Sequence, residues 1–190
     1  MTAVPVVERM SAEEFLELPV PQRGRPWNLV NGEVVVNDPT ALHGRVLGEL
    51  QFALESWVRA KSGRGRVAVP LDVRLDHRNV FVPDLLWYAE GRAPARDAAP
   101  PYPMPDIAVE VRSPSTWRYD IGQKKSGYEH HGLPELWLLD TAGEVVLVFR
   151  RTKADSPTFD IALELEVSDR LTSPQLEGFA VAVGALFPPR

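Results

Sequence analysis

Pro105-Asp106-Ile107-Ala108-Val109-Glu110-Val111-Arg112-Ser113-Pro114-Ser115-Thr116-Trp117-Arg118-Tyr119-Asp120-Ile121-Gly122-Gln123-Lys124-Lys125-Ser126-Gly127-Tyr128 decides the fold: an apolar run holding one carboxylate gives way to a polar segment with helical spacing. Ile107, Ala108, Val109 and Val111 leave little polar surface, so the run reads as a short strand buried on both faces. Glu110 inside that strand needs a cation or donors, because taking an ionised carboxylate out of water costs several kcal/mol. Arg112, two residues on, leaves the strand on the same side as Glu110. Lys124 follows on the next segment. Pro114 cannot donate to a ladder and restricts the residue before it, so the strand ends at Ser113-Pro114-Ser115-Thr116. Thr116 is placed to cap a helix reaching about Gly132.

Upstream, Val80 to Tyr88 reads as one strand containing Pro83-Asp84, with Val67-Ala68-Val69 and Asp72 to Leu75 before it, interrupted by Pro70. Pro39-Thr40 introduces a long helix from about Ala41 to Lys61. Val46, Leu50, Ala53, Leu54, Trp57 and Val58 form its apolar stripe, and Gly63 and Gly65 end it. Trp27 to Val30 meets Glu33 to Val36 across Asn31-Gly32, a strong hairpin signal. Ser11-Ala12-Glu13-Glu14 is a capping box for a short helix that Pro19 and Pro21 close. Downstream, residues 89–105 are rich in Gly, Ala, Pro and Arg and read as a long surface loop of the kind that serves as a functional flap. Glu135 to Leu139 and Val145 to Arg150 form a hairpin through Thr141-Ala142-Gly143-Glu144. Phe159 to Val167 is a more exposed strand, and the tail from Leu176 to Phe187 is apolar enough to dock. No repeat or linker divides the chain, so one domain is expected over 1–190.

With 190 residues, 44% hydrophobic and 25% charged, the chain can bury one full core. It has no cysteine, which excludes disulfides, thiolate zinc sites and Cys nucleophiles. The N-terminus lacks a basic segment followed by a long apolar stretch, and no apolar run approaches about 20 residues, so a cytoplasmic location without membrane insertion is expected. The net charge of -5 argues against a protein that coats nucleic acid. Its distribution softens the objection: residues 42–66 carry Arg45, Arg59, Lys61, Arg64 and Arg66 against only Glu49 and Glu55, while the acidic excess gathers beyond residue 152. A solvated helix surface is the plainer reading of that basic group.

Asp84 and Glu110 each lie in or at the end of an apolar strand, and the chain between them lets the strands be neighbours. Paired carboxylates repel unless a cation sits between them. A hard divalent ion such as Mg2+ suits two carboxylates, with the Val111 carbonyl as a further oxygen and phosphate supplying the rest. Asp120, Lys124 and Tyr128 share a helix face at i, i+4, i+8. An ammonium there can orient or deprotonate a water and balance phosphate charge. Taken singly, each residue has a plainer role: Asp84 as a turn residue, Glu110 as partner of Arg112, Asp120 with Lys124 as a surface pair. Their order along the chain favours a site. His43, His77, His130 and His131 lack zinc-ligand spacing, and Trp57, Trp87 and Trp137 read as core.

Pro83-Asp84, Glu110-Val111-Arg112-Ser113-Pro114-Ser115-Thr116, Asp120 with Lys124 and Tyr128, and Gly132-Leu133-Pro134-Glu135-Leu136-Trp137 with Asp140 together resemble the Uma-two family of restriction-endonuclease-like proteins, within the PD-(D/E)XK nuclease superfamily. Trp27 to Glu33, His43 and Leu176-Glu177-Gly178-Phe179 extend the likeness over nearly the whole chain. The resemblance implies an α/β restriction-endonuclease-like fold, a mixed central β-sheet flanked by helices. It implies Asp84 and Glu110 as metal ligands for Mg2+ (Mn2+ in its place), Glu33 as an extra acid, and hydrolysis of DNA. The superfamily lysine normally stands where this chain has Arg112, which cannot act as a base; Lys124 would supply it from the helix. Asn28 stands where the family usually has an acid. Arg112, Arg118 and Lys125 are the expected nucleic-acid contacts. The apolar hairpin at 136–149, whose outer strand needs cover, points to a homodimer. The rival reading is a catalytically silent module that keeps the fold for binding or assembly. A carboxylate-pair glycosidase is a third, and it leaves Lys124 without a role.

Overall fold

Asn31 and Gly32 both take positive φ, 50° and 78°, the twist that a two-residue hairpin loop needs. They join β1 (Trp27–Val30) to β2 (Glu33–Val36) in antiparallel register. The computed structural model describes residues 9–19 and 27–188, so the closing role read for Pro21 lies outside the described residues. In α1 (Ala12–Leu16) the capping box forms in both directions between Ser11 and Glu14. In α2 (Ala41–Arg59) the Thr40 side chain accepts from the His43 amide, and Val46, Leu50 and Leu54 turn inward. After α2, Gly65 is required by its surroundings. Its φ is 72°, and a Cβ there would stand 2.0 Å from the Tyr88 carbonyl oxygen.

β3 (Arg66–Ala68), β4 (Val73–Arg74), β5 (Val80–Phe81) and β6 (Leu85–Tyr88) follow. The stretch read as one strand from Val80 to Tyr88 is therefore two, in different sheets. Pro83 has no N–H to give, and the Val82 amide donates instead to the side chain of buried Asn28 at 2.7 Å. Asn28, to which the sequence assigned no role, thus brackets the break. β5 joins a four-stranded sheet ordered β2-β1-β5-β4. β6 joins a six-stranded sheet with β7 (Ile107–Val111), β8 (Glu135–Asp140), β9 (Val145–Arg150) and β10 (Ile161–Leu165), ordered β10-β9-β8-β7-β6-β3. β7 and β8 pair in parallel and the rest antiparallel, so the sheet is mixed.

A parallel pair needs a crossover. Here it consists of α3 (Trp117–Tyr119), a π-helical turn at Asp120–Lys124 and α4 (Lys125–His130). The helix expected from Thr116 to about Gly132 is thus one continuous helical run over 117–130 with a π turn inside it. Thr116 takes helical angles and makes no side-chain cap; its hydroxyl donates to Asp120 Oδ2 at 3.0 Å instead. β11 (Arg170–Leu171), β12 (Val181–Ala182) and α5 (Val183–Leu186) complete the chain.

Alternation along β7 divides the interior. Ile107, Val109 and Val111 pack with Val46, Leu50 and Leu54 of α2, with Trp137, and with Leu176, Phe179 and Leu186 of the docked tail. Ala108 faces the other layer, with Phe81, Tyr119, Tyr128, Leu136 and Leu138. Glu110 therefore projects toward the crossover segment. The outer edge of β9, expected to be covered by a second copy, is covered by β10 of the same chain. The 89–105 loop is tied down: the Tyr102 amide donates to the Asp72 carbonyl, the Tyr88 hydroxyl donates to the Pro103 carbonyl, and Arg92 pairs with Asp106. Among the described residues no helix is long and apolar enough to cross a membrane.

Candidate active site

Antiparallel pairing of β6 with β7 sets Leu85 opposite Val109, and the same register continued by one residue brings Asp84 opposite Glu110. Both carboxylates are buried, each 3% exposed. Asp84 Oδ2 accepts the Val111 amide at 2.7 Å and faces His43 Nε2 at 3.1 Å, whereas Oδ1 meets, among the described residues, Asn37 Nδ2 alone, at a long 3.4 Å. Glu110 Oε1 takes two donors, Lys124 Nζ at 2.6 Å and the Tyr128 hydroxyl at 2.8 Å. In each acid the protein's short contacts gather on one oxygen.

Lys124 and Asp120 are brought together by the π turn, with Lys124 Nζ 3.1 Å from Asp120 Oδ1. Single π turns inside helices recur at functional sites. Behind Asp120 runs a hydroxyl chain in which Thr116 donates to Asp120 and lies 2.7 Å from the Ser113 hydroxyl. Burial raises Glu110 to about 8, with the nearby charges of Asp120 and Asp84 adding to it and Lys124 opposing. Asp120 is raised as well, chiefly by burial. Burial alone would lower Lys124, but the charges of Glu110 and Asp120 outweigh it and hold the amine above the ordinary lysine value. Lys124 is thus an ammonium at neutral pH. An ammonium there can orient a water and balance phosphate charge.

The other expected residues are placed differently. Glu33 is exposed at the start of β2 and accepts from the Tyr119 hydroxyl at 3.0 Å, outside the buried cluster. Arg112 turns away from Glu110 to pair with Asp140 at 2.8 Å and lies over the Trp117 ring. Arg118 is exposed and donates to the Tyr119 hydroxyl. Lys125 sits 3.9 Å from Glu129 and over Phe149. Four contributors had no site role in the sequence reading: Asn37, Ser113, Thr116 and His43. His43 carried a usable signal, since it continues the buried α2 stripe of Val46, Leu50 and Leu54 as a polar residue on an apolar face.

The residues present suit a hard divalent ion. Three buried carboxylates, Asp84, Glu110 and Asp120, stand against Lys124 and His43, and Asn37 Oδ1 is one of two buried side-chain polar atoms without a partner among the described residues. No group of three or more His, Cys, Asp or Glu among the described residues converges to hold an ion. An ion here would rest on two carboxylates, with further oxygens from backbone, amide or water.

Residues 12–184 match the Uma2 family, described as "Putative restriction endonuclease". No curated protein matches the chain. A crystal structure of a putative nuclease belonging to DUF820 from Anabaena variabilis superposes with a TM-score of 0.78 at 19% identity, covering 94% of this chain and 97% of that one. At that identity the likeness speaks for the fold, which is the mixed-sheet α/β architecture expected. The family match spans most of the sequence, and the chain belongs to the Uma2 family of putative restriction endonucleases.

Proposed function

We propose that this chain is a metal-dependent endonuclease that hydrolyses phosphodiester bonds of DNA, with Mg2+ as its ion and Mn2+ able to replace it. The observation that supports this best is the polarity of the two acids. Asp84 offers Oδ1 and Glu110 offers Oε2, because the short protein contacts occupy Oδ2 and Oε1. Asp84 and Glu110 would hold the ion, with the Val111 carbonyl as a further oxygen. When bound, such an ion polarises a phosphoryl oxygen and makes water a better nucleophile. Lys124, kept as an ammonium between Glu110 and Asp120, contributes fixed positive charge where the phosphorane-like transition state gathers negative charge. Asp120 keeps that ammonium aimed when Glu110 is engaged elsewhere. Water adds to phosphorus and gives up a proton to solvent, and the bond to the leaving sugar oxygen breaks as that oxygen takes a proton from solvent. Arg112, Arg118 and Lys125 are assigned to the DNA backbone, and Glu33 to the rim. A cytoplasmic setting fits this substrate, and a homodimer, which would let two copies cut two strands, would pair through β10, whose outer side carries no strand among the described residues.

The test is nicking of plasmid and single-stranded DNA with and without Mg2+ or Mn2+, with Glu110→Ala as the blank. Metal-dependent cleavage by the wild type and none by the variant is expected. Equal activity in the blank means contamination. Absence of any metal-dependent activity favours the silent binding or assembly module, for which Arg112 in the usual lysine position, already paired with Asp140, is the supporting observation.

A further inference from the structure

We propose that His43 is a positioning residue for Asp84, an inference that rests on the metal-dependent reading of the site. His43 lies in the first turn of α2, 3% exposed, and its backbone amide is held by the Thr40 side chain at 3.2 Å, so the base of the side chain is anchored. Its Nε2 stands 3.1 Å from Asp84 Oδ2, the same oxygen that accepts the Val111 amide at 2.7 Å. Two nitrogens from two elements, α2 and β7, converge on one carboxylate oxygen, and an ionised carboxylate can only accept from them. Rotating the carboxylate would break both bonds at once.

The consequence falls on the other oxygen. Among the described residues Asp84 Oδ1 has one contact, the long 3.4 Å approach of Asn37 Nδ2, so the clamp leaves this oxygen the less engaged of the two. Hydrogen bonds of this kind to a ligating carboxylate or histidine fix orientation, and their loss typically weakens metal affinity about 10- to 100-fold. Without His43, the Val111 amide and the long Asn37 contact would be left to hold Asp84, and the carboxylate could turn more readily about its bond to Cβ. The role requires Nε2 to carry the hydrogen, since a lone pair there would repel Oδ2.

The test combines two substitutions with a spectroscopic readout on the metal-free protein. Heteronuclear NMR of the His43 ring should show a proton on Nε2; a neutral ring carrying its proton on Nδ1 overturns the proposal. Calorimetry with Mn2+ should show His43→Leu binding about 10- to 100-fold more weakly than wild type. His43→Gln, whose amide can reach the same oxygen, should recover most of that affinity, and His43→Asn, one bond shorter, should not. In the nicking assay His43→Leu should lower kcat with little change in KM for DNA. Should His43→Leu fail to fold, equal Mn2+ affinity in the Gln and Asn variants overturns the proposal. Wild-type affinity in His43→Leu also overturns it and leaves the metal-dependent reading standing. A wild-type protein that binds no Mn2+ overturns both.

Discussion

Glu110 at the residue scale is an acid whose proton the folded state holds more tightly than the unfolded chain does. Its ordinary value of 4.5 is pushed up to about 8 by burial, against the pull of Lys124. Between those two values the native state binds more protons than the unfolded state, so stability should fall as pH rises through that window. Lys124, raised above 10.5, loses its stabilising contribution only at more alkaline pH and does not offset the trend. In chelator, the melting temperature should therefore fall from about pH 5 to about pH 8, and the slope should flatten in Glu110→Gln. A slope unchanged by that substitution would mean that Glu110 is already ionised at pH 5. Lys124 predicts a second effect. Lys124→Met leaves Glu110 and Asp120 buried without their shared cation and should cost about 3–5 kcal/mol in urea unfolding. A loss below about 1 kcal/mol would mean the pair behaves like an exposed one.

Among the elements, the break between β5 and β6 carries the site, because it releases Asp84 from the ladder at the register position of Glu110. Asn28 on β1 maintains that break by accepting the Val82 amide. Asn28→Leu would leave a buried N–H unsatisfied and should cost about 1–3 kcal/mol, measurable by thermal or urea unfolding. A neutral result would show that water or a shifted backbone replaces the contact. The crossover is the other decisive element. Its π turn places Asp120 and Lys124 on one buried face, and the Thr116 hydroxyl holds Asp120 from behind. The polar spacing of 116–130 in the sequence indicates a helix there, and the departure from α geometry sits where side-chain partners inside the protein compete with regular backbone bonding.

For the whole molecule, the six-stranded sheet ends in two edges, β3 and β10. β10 keeps Leu163 43% exposed, and unpaired edges are sites of further pairing. Antiparallel self-pairing centred on Leu163 would set Ile161 opposite Leu165 and Ala162 opposite Glu164, so no two glutamates face each other. Sedimentation of the wild type should give twice 21.2 kDa, and Leu163→Lys should return the monomer mass. A monomer at high protein concentration for the wild type would remove the dimer. The carboxylate cluster lies at the Asp84 and Val111 end of this sheet. Two crevices of about 600 and 650 Å3 open elsewhere, one beside Trp57, Trp87 and Arg64, the other beside Asp106, Arg150 and Arg151.

Local chemistry by itself determined the Asn31-Gly32 hairpin, the Ser11 capping box, the course of α2 and the buried strand around Glu110. Each rests on turn dihedrals, caps or periodicity carried within a few residues. The set Asp84, Glu110, Lys124 was also legible, because acids in apolar strands and a lysine at i+4 from an aspartate stand out in the chain. Which partner each charge takes was decided by tertiary structure. His43 meets Asp84 across 41 positions, Asn28 meets Val82 across 54, and Arg112 leaves Glu110 for Asp140 across 28. The physical reason is that a polar or charged group taken from water is satisfied by whichever donor or acceptor the packing of distant elements brings within about 3 Å, and that choice has no local signature.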